Sequence, residues 1–76
     1  MKLEATYAGT GFEGHHLMRD VTGDLTRDHL WANKDRANFP DGIPHGARIK
    51  FYCSLFHRGP KGDRITDIRE MEVMKK

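Results

Sequence analysis

Arg48-Ile49-Lys50-Phe51-Tyr52-Cys53-Ser54-Leu55-Phe56-His57-Arg58 is the stretch whose reading decides the fold. Side chains alternate across a strand, so Ile49, Phe51, Cys53 and Leu55 share one face. Arg48, Lys50, Tyr52, Ser54, Phe56 and Arg58 share the other. The first set is a core face. The second is basic and aromatic, the composition with which single-stranded nucleic acid binders track phosphates and stack bases.

Working outward, Lys2 to Ala8 alternates with Leu3, Ala5 and Tyr7 on one side, which predicts a first strand. Gly9 to Gly14 is a loop. His15 to Val21 predicts a second strand, with Leu17, Arg19 and Val21 opposed to His16, Met18 and Asp20. Thr22-Gly23-Asp24 supplies turn chemistry. Leu25 to Asn33 predicts a third strand, with Leu30 and Ala32 facing opposite to Trp31. Asn33 to Pro44 is broken by Pro40, Gly42 and Pro44, leaving room for one helical turn around Asp35–Asn38. After the strand over 47–58, Gly59-Pro60-Lys61-Gly62 is a turn and Arg64 to Met74 a last strand. There Ile65 and Ile68 break the alternation, and a bulge near Thr66–Glu70 would return both to one face. Five strands interrupted after the third is the order of an OB-like barrel, with an SH3-like barrel as the alternative.

At 76 residues the chain is expected to form a single domain over 1–76, with a thin core. Apolar residues make up 37% and charged ones 32%, which excludes a disordered segment. No apolar run approaches the roughly 20 residues that span a bilayer as a helix. The single cysteine, Cys53, excludes an internal disulfide and falls on the apolar face, so a buried inert thiol is expected. A reducing cytoplasm fits this composition. Residues 1–44 carry five Lys/Arg against seven Asp/Glu, and residues 45–76 carry eight against four. The C-terminal half is therefore the basic one. The start at Met1 and the Lys75-Lys76 end read as a complete short gene product.

Arg19-Asp20-Val21-Thr22, then Asp28-His29-Leu30-Trp31, then Gly46-Ala47-Arg48-Ile49-Lys50-Phe51 resembles small OB-fold-like proteins of phages and bacteria. The resemblance spans roughly residues 3–74 and implies the OB-like barrel, with nucleic-acid contact by analogy of fold. The chain departs from that pattern after the fourth strand, where a longer basic, aromatic hairpin is shortened to Arg58–Gly62.

Other constellations yield to simpler readings. Gly9-Thr10-Gly11-Phe12-Glu13-Gly14 has the letters of a dinucleotide fingerprint, but that motif requires a helix to follow, and a strand follows here. His15 and His16 point to opposite faces of a strand, and Cys53 and His57 lie about 13 Å apart along one. A set drawn from Asp28, His29 and His57 is the one remaining metal candidate, and no metal or other cofactor is predicted. Asp20, Asp24 and Asp28 surround a hairpin and suit turn formation rather than acid–base catalysis. No nucleophile stands beside a base, so a non-catalytic binding module is expected.

The expected partner is single-stranded DNA or RNA. Arg48, Lys50, Arg58, Lys61 and Arg64 would meet phosphates, and Phe12, Trp31, Tyr52 and Phe56 would stack bases. Burial of Trp31, Tyr52 and Phe56 is the competing reading of those rings. The alternative function is a protein-interaction module, such as a phage-encoded regulator docking on a host protein, because Tyr, Trp and Arg also dominate protein interfaces.

Overall fold

A computed structural model describes residues 1–59 and 62–74, without the side chains of Phe12, Leu55, Phe56 and His57. Its elements are β1 (Lys2–Thr10), a 3-10 turn (Phe12–Gly14), β2 (His16–Gly23), β3 (Arg27–Ala32), β4 (Arg48–Gly59) and β5 (Gly62–Val73). They close into a barrel of order β1-β2-β3-β5-β4, an OB-like barrel. All pairings are antiparallel except β3–β5, which is parallel.

The decisive stretch behaves as its alternation requires. Ile49, Phe51 and Cys53 are buried, together with Leu3, Ala5 and Tyr7 of β1 and Leu30 and Ala32 of β3. In β5 the irregular spacing resolves into two bulges. The register advances three residues against two between Thr66 and Arg69, and again between Arg69 and Glu72. Asp67 (φ 54°) and Glu70 (φ 53°) adopt left-handed backbone at those points. The outcome is that Ile65 and Ile68 both reach the core.

β2 departs from simple alternation. Asp20 has φ 52° and sits in a third bulge, between the pairs Thr6↔Arg19 and Glu4↔Thr22. The extra residue turns both Met18 and Val21 inward and leaves Leu17 and Arg19 outside, so the expected grouping of Val21 with Leu17 and Arg19 is corrected.

The 33–47 link is irregular, with one tight turn. Asn33 Oδ1 accepts from the Asp35 and Arg36 amides at 2.9 and 3.1 Å, and the Asn33 carbonyl accepts from Ala37 N at 2.9 Å. Ala37 is fully buried, and its carbonyl accepts from Ile68 N at 2.9 Å, tying the link to β5. Phe39 stacks on Tyr7 (centroids 5.0 Å apart) and His16 (4.2 Å), while Tyr7 Oη and His16 Nδ1 share a 2.8 Å hydrogen bond. This aromatic group, rather than a helix, covers the barrel where β1 and β3 end.

Candidate nucleic-acid interface

On the outer side of β4 the cations meet acceptors supplied by other strands. Four oxygens from two other strands surround the Arg48 guanidinium. They are Glu4 Oε1 (3.5 Å), Thr6 Oγ1 (3.2 Å), the Asp20 carbonyl (2.8 Å) and Thr22 Oγ1 (3.1 Å). Arg48 therefore fastens the β2 bulge to β1 and β4. Lys50 pairs with Glu72 at 3.5 Å. Tyr52 is 40% exposed, with the Lys2 ammonium 5.8 Å from its ring centre. Glu70 and Glu72 line the same shallow recess as Lys2, Lys50 and Tyr52. Neighbouring strands thus bring Glu4, Glu70 and Glu72 beside these cations, and Arg48 is the one most fully engaged within the fold.

Trp31 lies elsewhere. Leu30 and Ala32 point into the core, so Trp31 stands on the outer side of β3, yet it is only 9% exposed. Two connections cover it. A Cβ built on Gly11, in the β1–β2 connection, would lie 2.3 Å from Trp31 Cη2. A Cβ on Gly62, at the β4–β5 turn, would lie 2.7 Å from His29 Nε2 and 3.3 Å from Trp31 Cδ1. Backbone without side chains is thus packed against the indole from both loops. Of the two readings of Trp31, burial is the one found, and its neighbours across the ladders are Leu17 on β2 and Arg64 on β5.

Around that covered indole the structure gathers a different cationic group. Arg19 lies opposite His29, and both are exposed. Arg64 lies opposite Trp31 and is half-buried. Arg27, two residues before His29, donates from Nε to Asp63 Oδ2 at 3.2 Å. Arg58 is exposed on the β4–β5 hairpin, across from Asp63. His29 meets Trp31 edge to face, with centroids 6.4 Å apart. Of the residues singled out in the sequence, Trp31, Arg58 and Arg64 come together here, while Arg48, Lys50 and Tyr52 lie on the β1–β4–β5 side. Lys61 and the side chains of Phe12 and Phe56 lie outside the described residues. Sequence reasoning missed Arg19, Arg27 and His29, although the alternation of Arg27, His29 and Trp31 along β3 was available as a signal.

The histidine pair is structural. His15 Nδ1 accepts from the Lys34 amide at 3.1 Å, and its Nε2 lies 3.6 Å from Glu13 Oε2. Burial lowers the His16 pKa, an effect opposed by Asp41 and reinforced by His15. Cys53 is buried, and burial pushes its thiol up to about 11, which matches the inert role expected of it. Among the described residues no group of three His, Cys, Asp or Glu side chains is placed to hold a metal ion. No helix among them is long and apolar enough to cross a membrane. No family model, curated protein or solved structure matches the chain.

Proposed function

We propose that this barrel binds single-stranded DNA or RNA across the outer side of β2 and β3, between the β1–β2 and β4–β5 connections. The observation that carries the reading is the clustering of Arg19, Arg27, His29 and Arg64 around Trp31. In OB-like barrels, the β2–β3 side and these two connections are where oligonucleotides dock. Arg19 and Arg64 pair with phosphates, and His29 offers the exposed ring of β3. Binding of this kind needs no catalytic group.

The test is fluorescence anisotropy of labelled mixed-sequence DNA and RNA strands at low and moderate salt. Affinity falls with salt at a slope of about −0.7 per phosphate neutralised. An Arg19→Ala/Arg64→Ala variant that keeps its melting temperature binds at least tenfold more weakly. Equal binding by that variant, or none by the wild type at low salt, rejects the reading.

A second reading, docking of a protein partner, draws on the other side of the barrel. Tyr52, Val73 and Met74 are 40%, 47% and 36% exposed there. Salt-insensitive capture of a partner by wild type but not by Tyr52→Ala would favour it.

A further inference from the structure

Of the cations gathered near Trp31, Arg27 has a carboxylate partner from a distant part of the chain, and that carboxylate is nearly enclosed. The Asp63 side chain is 12% exposed and that of Arg27 38%. The guanidinium is oriented at one more point, donating from Nη1 to the Thr26 carbonyl at 2.7 Å. Asp63 follows Gly62, whose backbone rests against His29 and Trp31, and lies across the hairpin from Arg58. Its carboxylate thus lies between Arg27 of β3 and the β4–β5 hairpin, on the face proposed above to bind nucleic acid. Carboxylate and phosphate oxygens present the same charge-assisted acceptors to a guanidinium.

We propose that Asp63 is a built-in competitor for the nucleic-acid phosphate. It occupies Arg27 in the free protein, and a bound strand takes Arg27 over, separating the first residues of β5 from β3. The inference rests on the binding face proposed above. It adds that affinity is set by an exchange of anions on Arg27, so one acidic residue on the face weakens binding. It also makes the hairpin responsive. While Arg27 holds Asp63, the Gly62 backbone stays on the Trp31 edge; once phosphate replaces Asp63, that tether is gone.

The experiment compares wild type, Asp63→Asn, Arg27→Gln and the double variant with labelled single-stranded DNA over a range of salt, after thermal melts on each. Asp63→Asn keeps the size of the side chain and removes its charge. It should bind roughly 2–5-fold more tightly at low salt. Its salt slope should match that of the wild type, because the same phosphate sits on Arg27 in both. The gain should vanish in the Arg27→Gln background. A gain that survives there would mean general repulsion by Asp63 and would overturn the exchange.

Unchanged affinity in Asp63→Asn, with the wild type binding, would overturn the inference alone and leave the face standing. Absence of binding by both wild type and Asp63→Asn would reject both readings. If Asp63→Asn does not fold, the Arg27 Nε–H resonance of the wild type decides. A shift on adding DNA that is absent in Arg19→Ala/Arg64→Ala supports the exchange, and an unmoved resonance at saturation refutes it.

Discussion

Replacing Gly11 with alanine tests the packing that hides Trp31. The new methyl carbon would sit 2.3 Å from Cη2 and 2.4 Å from Cζ3 of the indole. Carbon atoms pack at about 3.5–4.0 Å, so indole and loop must separate by more than an ångström. Forcing extra volume into such a contact costs about 1–3 kcal/mol. Gly11 does not have left-handed backbone, so alanine recovers about 0.4–1 kcal/mol by restricting the unfolded chain. The net loss is about 1–2 kcal/mol, a fall in Tm of roughly 5–15 °C for a domain of this size.

Calorimetry measures that loss, and fluorescence locates it, because Trp31 is the single tryptophan. Its emission should shift to the red as water reaches the displaced ring. The control is Trp31→Phe, whose smaller ring lacks the atoms struck by the methyl. In that background Gly11→Ala should be nearly neutral, and the cycle should return a coupling of about 1 kcal/mol or more. An unchanged Tm and emission in Gly11→Ala, or a cost that persists with phenylalanine at position 31, would refute the packing argument.

Other substitutions separate scaffold from interface. Arg48→Gln should lower stability by about 1 kcal/mol in urea titrations while leaving nucleic-acid affinity unchanged, because the guanidinium serves Glu4, Thr6, Asp20 and Thr22. Glu70→Gly should raise the urea midpoint by the equivalent of about 0.5–1 kcal/mol, with Glu70→Ala giving no such gain, since φ 53° strains any side chain bearing a Cβ. Cys53 should react with a thiol reagent far more slowly in the native state than in urea at pH 8, because burial raises its pKa to about 11. The same shift sets an alkaline dependence. The folded state holds the thiol proton more tightly than the unfolded chain, so its stabilising contribution is complete below pH 9 and declines as pH rises towards 11. Cys53→Ala should flatten that part of the stability curve, and burial of Tyr7, which also raises its pKa, should leave a residual slope.

The fold was legible wherever a local period survives. Ile49, Phe51 and Cys53 announce a core strand, and the three-residue step from Ile65 to Ile68 announces a bulge. Asp20 gave less warning, because an aspartate near a turn reads equally well as turn chemistry or as left-handed backbone inside a strand. The site was hardly legible, for a reason of distance. The oxygens that occupy Arg48 come from residues 26 to 44 positions away. No composition of one strand shows whether its charges are already spent on neighbours. Trp31 left two readings open for the same reason, since its outward position in β3 does not show that Gly11 and Gly62 are brought against it.

The closure between β3 and β5 sets the order in which this molecule comes apart. Elsewhere the ring is held by antiparallel ladders, but here only Trp31↔Arg64 and Ala32↔Ile65 are paired among the described residues. Beside that seam, Arg27 and Asp63 supply a side-chain bond where backbone pairing has stopped. A ring with one thin join fails at the join, so the cheapest excursion from the native state is an opened sheet that keeps its hairpins. Amides bonded across β3–β5 should lose hydrogen-exchange protection before those between β1 and β4. In folding the same join closes late, since it gains only two pairs for bringing together segments more than thirty residues apart, whereas the wider β1–β4 closure gains five.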